Sequence, residues 1–117
     1  MFTQDVRVHY LGFHPSDKTD QTLRDWAEEL RDEAPRAANV KAVYSRQGRS
    51  YQSEVRVTSK AGHFHAVVRG PNLYMVSREA HRRIRRQLSK WKTRRLHHRE
   101  NHQTMLTMLK GLEVEAS

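Results

Sequence analysis

The chain predicts an α+β fold, a β-α-β-β-β-α two-layer sandwich in which a four-stranded sheet carries both helices on one face. Three observations lead there. Four segments alternate apolar and polar residues with the period of two that a half-buried strand requires. Two longer segments repeat apolar residues at helical spacing instead. Clusters of Gly, Pro and Ser separate the segments. At 117 residues, 36% hydrophobic and 30% charged, the chain suits one domain with a modest core and a polar surface.

The first segment, residues 5–13, sets Val6, Val8 and Tyr10 against Arg7, His9 and Leu11, the alternation of a strand. Gly12 and Pro15 end it. Ser16, Thr19 and Asp20 each qualify as N-cap of the helix that follows. Leu23, Trp26, Ala27 and Leu30 form its apolar face, and it closes near Asp32 or Ala34, before Pro35. Its outer face is mixed to acidic: Asp25, Glu28, Glu29, Asp32 and Glu33, with Arg24 and Arg31. Three strands come next. Val40, Ala42 and Tyr44 share a face of the first; Tyr51, Ser53, Val55 and Val57 of the second; Phe64, Ala66 and Val68 of the third. Breaks at residues 48–50 and 59–62 make these three strands a meander. The long connection through the first helix is expected to return the first strand to the same sheet, parallel to a neighbour.

The final segment organises the chain. Residues 72–99 hold ten Lys or Arg against one acid, Glu79, a net +9 equal to the formal charge of the whole sequence. Asn72 is its expected N-cap. At about 100° per residue, Leu73, Ala80, Ile84 and Trp91 fall close to one line, flanked by Val76 and Leu88. Arg78, Arg82, Arg85 and Arg86 project to the opposite side, with Arg83, Lys90 and Lys92 on the shoulders. Past Leu96 the register changes, since Arg95 would enter the apolar stripe; Trp91 therefore marks the expected last packed turn. The domain is placed at 1–96. Residues 97–117 are expected to form a tail, mobile or a short amphipathic helix lined by Met105, Leu106, Met108, Leu109 and Leu112.

A helix that fastens to a core with one face and presents guanidinium groups on the other calls for a polyanion, and nucleic acid is the first candidate. An acidic membrane surface is the weaker partner, because the apolar face is needed for the core. No stretch approaches the roughly 18 apolar residues of a membrane span, no signal-peptide pattern follows Met1, and there is no cysteine for disulfides or thiolate metal sites. A soluble, cytoplasmic protein is expected.

Two stretches carry a resemblance to a known family. Gly70-Pro71-Asn72-Leu73-Tyr74 resembles the Gly-x-Asp/Asn-Leu/Met-Tyr junction that begins the last helix of the ribosome hibernation-promoting factor and ribosome-associated inhibitor family, also described as sigma-54 modulation proteins. Arg86-Gln87-Leu88-Ser89-Lys90-Trp91-Lys92 resembles that family's Arg-Gln-Leu-x-Lys-x-Lys run. The order of elements over residues 6–98 agrees. The resemblance implies a double-stranded-RNA-binding-like domain without enzymatic activity. It also implies binding to the small ribosomal subunit in the channel used by messenger and transfer RNA, silencing ribosomes under stress or in stationary phase. It places Arg83, Arg86, Lys90, Lys92 and Arg94 against ribosomal RNA. The acidic first helix departs from better-known members, and the chain is too short to contain the long form's second, dimerising domain. A short-form hibernation factor is implied, monomeric itself, with ribosome dimerisation left to a separate partner if it occurs.

Taken together, the candidate RNA-binding residues are Arg78, Arg82, Arg83, Arg85, Arg86, Lys90, Lys92, Arg94 and Arg95. A charge run is ordinarily a solvated face. Like charges at i, i+3 and i, i+4 repel, however, and a merely soluble helix would interleave acids. Contact should be through phosphates and shape, because the A-form major groove is too narrow for side chains to read. Of the eight histidines, His63 and His65 share a strand face while His97, His98 and His102 cluster near the tail. No Cys or carboxylate completes a zinc set, so neither metal nor cofactor is expected. Trp26 and Trp91 belong to apolar stripes, and core packing is also expected for Tyr51 and Tyr74. No phosphate loop, nucleophile motif or metal set supports catalysis or a small-molecule substrate. A generic double-stranded RNA- or DNA-binding module and a small RNA-processing enzyme remain the alternatives.

Overall fold

A computed structural model describes the backbone over residues 5–111 and the side chains over 5–94. The predicted order is observed: β1 (Val6–Leu11), α1 (Asp17–Glu33), β2 (Asn39–Gln47), β3 (Ser50–Ser59), β4 (Gly62–Gly70) and α2 (Leu73–Gly111). The four strands form one mixed sheet in the order β1-β2-β3-β4. β1 runs parallel to β2, with Val8 opposite Ala42, while β2–β3 and β3–β4 are antiparallel. Parallel strands need a crossover, and α1 supplies it.

Alternation decides which side of the sheet is covered. Val8, Val40, Ala42, Tyr44, Val55, Val57, Phe64 and Ala66 point into the core, where Leu23, Ala27 and Leu30 of α1 meet Val76, Ala80, Ile84 and Leu88 of α2. Both helices thus lie on one face, as the pattern predicted. Each fully buried Leu or Ile removes enough apolar surface from water to contribute about 1.5–3 kcal/mol.

Local chemistry sets the ends. Of the three candidate caps, Ser16 begins α1: its backbone is extended and its hydroxyl accepts from the Thr19 N–H at 3.2 Å. Asp17 and Asp20 in the first turn suit the helix dipole. Tyr10 donates to Asp20 at 2.7 Å and ties α1 to β1. Asn72 caps α2, accepting from the Met75 N–H at 3.1 Å. At the β2–β3 hairpin Gly48 takes φ 61°, a left-handed conformation that glycine adopts without steric cost. Gly70 answers a close approach instead, since a Cβ there would lie 3.1 Å from Val76 Cγ1.

α2 is a single helix of 39 residues that continues through residue 96 to Gly111. Among the described side chains of α2 Leu88 is the last buried one, Trp91 is half-buried against the core, and Lys92, Thr93 and Arg94 are exposed. The side chains of Arg95, of His97, His98 and His102 and of the tail's Met and Leu residues lie outside the described ones.

Candidate nucleic-acid interface

The stripe Val76–Ala80–Ile84–Leu88 fixes the rotation of α2, and that rotation aims the cations. Arg78, Arg82, Arg83, Arg85, Arg86, Lys90, Lys92 and Arg94 are all exposed on this one helix. Sixteen residues separate the first from the last, about 24 Å along the axis. Arg95, the ninth candidate, falls outside the described side chains. Helical geometry thus brings together in space what the sequence clusters in order.

The array is sorted by its counter-charges. Glu79 receives two hydrogen bonds from Arg82, at 2.8 and 2.9 Å, and one from Arg83 Nε at 3.2 Å. The Arg82 contact, with Arg83 behind it, holds the Glu79 carboxyl at about 2, far below the ordinary carboxylate range. The same pairing raises Arg82 further. Arg85 reaches α1, placing its guanidinium 3.0 Å from Glu33. Among the described residues, Arg78, Arg86, Lys90, Lys92 and Arg94 have no ion pair. No acid among the described residues has to be released before these cations can pair with an anion.

A cleft of about 630 Å³ opens along the α1 side of this face, lined by Glu33, Arg78, His81, Arg85, Arg86 and Lys92 among others. Its wall is a seam between the helices: Glu29 Oε2 lies 3.5 Å from His81 Nε2, and Glu33 pairs with Arg85 one turn on. Two acids of α1, Glu29 and Glu33, thus have a structural task on this seam. Burial pushes His81 below its ordinary value, outweighing the nearby Glu29. The imidazole packs over Trp26, their centroids 5.3 Å apart.

Three residues behave differently from expectation or escaped it. Tyr74, expected in the core, is 58% exposed, because it lies about 100° off the buried stripe. Its ring only rests beside Trp26, at 6.0 Å. Tyr51 is half-buried, packed edge-on against Phe13 at 5.4 Å with the Arg46 guanidinium 5.5 Å over its ring. Gln87, within the Arg86–Lys92 run, escaped notice; its carboxamide binds the backbone of His65 on β4. Among the described residues no group of three or more His, Cys, Asp or Glu is placed to hold a metal ion, and no helix is long and apolar enough to cross a membrane.

No family model and no curated protein matches the sequence. Solved structures do match the fold. A ribosomal subunit interface protein from Coxiella burnetii superposes with a TM-score of 0.65 at 15% identity, covering 77% of this chain and 99% of that one. The N-terminal domain of Protein Y from Thermus thermophilus gives 0.65 at 16% identity, covering 76% and 99%. Nearly the whole of each neighbour is thus accounted for by about three-quarters of this chain. The resemblance first seen in the Gly70–Tyr74 junction and the Arg86–Lys92 run is met at the level of architecture: this chain has the fold of the ribosomal subunit interface and Protein Y domains, the fold of the hibernation-promoting factors.

Proposed function

We propose that the protein is a ribosome-binding translation inhibitor, a hibernation factor that docks on small-subunit ribosomal RNA through α2. There it would sterically exclude messenger and transfer RNA under stress or in stationary phase. The observation that carries this reading is the exposed array from Arg78 to Arg94 on a fold shared with a ribosomal subunit interface protein. Arg offers bidentate bonds to phosphate and Lys a point charge. A rigid helix that displays both along about 24 Å suits a backbone of closely spaced phosphates. The action is one of occupancy, with no catalytic residue assigned. The protein would act as a cytoplasmic monomer.

Incubation with purified ribosomes followed by sucrose-gradient sedimentation tests the reading. The protein is expected to travel with small subunits at moderate salt, and to be released as salt rises with a log–log slope of about −0.7 to −0.9 per phosphate contact. Failure to co-sediment would overturn it. Equal binding to any RNA or DNA duplex would favour a generic module, and chelation-sensitive RNA cleavage would favour a processing enzyme.

A further inference from the structure

Among the described residues nothing covers the face of the sheet turned away from the helices, and the strand register organises that face. Arg7 stands opposite Lys41, Lys41 opposite Arg56, and Arg56 opposite His65. Their neighbours Val8, Val40, Ala42, Val55 and Val57 are buried on the helical side, so all four basic side chains rise from the open side, and all four are exposed. At about 4.8 Å between strands, they form a row roughly 14 Å long across the whole sheet.

Such a row is a cost to folding, because like charges directly opposite one another destabilise a strand pair. Counter-charges are present only toward its ends. Asp5 lies 2.6 Å from Arg7, and Glu54 lies 3.2 Å from Arg56 and 3.4 Å from His65. Lys41, between two arginines, has no ion pair among the described residues. Glu54 is the one acid that the open-face positions of the four strands contribute, against Arg7, Lys41, Arg56 and Arg69, and none of those positions holds Phe, Tyr or Trp. With no Phe, Tyr or Trp on it and cations in excess, this face is better suited to neutralising phosphates than to stacking bases.

We infer that the open face of the sheet binds an RNA phosphate backbone along the Arg7–Lys41–Arg56–His65 row, a second contact on the side opposite α2. The inference rests on the RNA-binding reading of the chain and extends it: the domain is held between two RNA segments rather than laid against one. A linear set of cations fits a linear polyanion, and the α2 array and the sheet row sit on opposite layers of a two-layer sandwich. One RNA surface therefore leaves the other face available to a second.

The test compares two double variants of the full chain in binding to purified small subunits across a salt series. Arg7→Gln with Lys41→Gln alters the sheet, and Arg86→Glu with Lys90→Glu alters the helix. The sheet variant is expected to keep or slightly raise its thermal midpoint, since it removes like-charge repulsion and loses only an exposed ion pair. It is expected to lose about tenfold in affinity near physiological salt, and to flatten the log–log salt slope by about 1.5. Lys41→Arg is expected to bind as the wild type does. If the sheet variant binds normally while the helix variant does not, the sheet inference falls and the function stands. If the helix variant binds normally, the proposed function itself fails. A poly-glutamate chain competing for the sheet as well as a 20-nucleotide RNA would overturn RNA as the occupant in favour of an acidic protein.

Discussion

The carboxamide of Gln87 is paired twice with the backbone of His65: its Oε1 accepts from the His65 N–H at 3.1 Å, and its Nε2 donates to the His65 C=O at 2.8 Å. β4 is the last strand of the sheet, so these outward-facing groups would otherwise be open to another strand. An amide side chain here imitates one residue of a fifth strand. Arg83 adds a longer contact, 3.4 Å, to the Val67 carbonyl. α2 therefore covers the sheet with its apolar stripe and protects its edge with its flank, one of the ways proteins block edge-to-edge association.

Replacing Gln87 with Ala should cost about 1–2 kcal/mol, the sum of two modest hydrogen bonds, measured by chemical denaturation. The His65 amide should lose its protection in hydrogen exchange while the β2 amides keep theirs. Unchanged exchange at His65 would show that the edge is held by something else.

The two faces of α2 should separate cleanly under mutation. Ile84→Ala removes a side chain that is 0% exposed and should lower stability by about 2–5 kcal/mol. Trp91→Ala should cost less than a fully buried ring, because Trp91 is only half-buried beside Phe64. Arg86→Glu with Lys90→Glu should stay within about 0.5 kcal/mol of wild type and abolish ribosome binding. Thermal melts alongside sedimentation check this, and equal unfolding of core and surface variants would mean that the faces are misassigned.

On the proposed function, Glu79 would compete with RNA for Arg82 and Arg83, which it already binds. Glu79→Gln should tighten binding to small subunits at low salt and steepen the log–log salt slope by about 1, read by fluorescence anisotropy across a salt series. Because its carboxyl is held at about 2 in the folded protein, the interaction is fully present above the unfolded carboxylate range. It is lost only as pH falls through the folded value. Binding assays between pH 6 and 8 should therefore see Glu79 fully charged.

His81 shifts in the same direction as Glu79, by burial rather than by pairing. Burial lowers its folded value below 6.5, so the unfolded chain binds more protons in that window and stability rises with pH across it. Stability should be fully present above about 6.5 and should decline as pH falls toward the folded value, where the seam with Trp26 and Glu29 must accommodate a charge. His81→Gln should remove this slope. Denaturation midpoints from pH 7 to 5, with the imidazole followed by NMR, would show it.

The sequence by itself determined what depends on near neighbours along the chain. Period-two alternation marked all four strands, and the i, i+4 stripe through Ala80 and Ile84 marked α2 with its cations on the far side, because strand and helix faces are set by local geometry. Asn72 and the breaks at Gly48 and Gly62 were legible for the same reason, whereas Ser16 was one of three candidate caps until the structure chose it. Tyr74 was not, since its distance from the stripe left two environments open. Only the tertiary structure decided which residues meet across the fold. It joined Glu33 to Arg85 across 52 residues and Gln87 to His65 across 22. It also set Lys41 between Arg7 and Arg56 on a face whose composition looks unremarkable strand by strand. Such contacts arise from strand order, register and helix placement, which are settled jointly when the apolar faces close on one another. No local pattern encodes them.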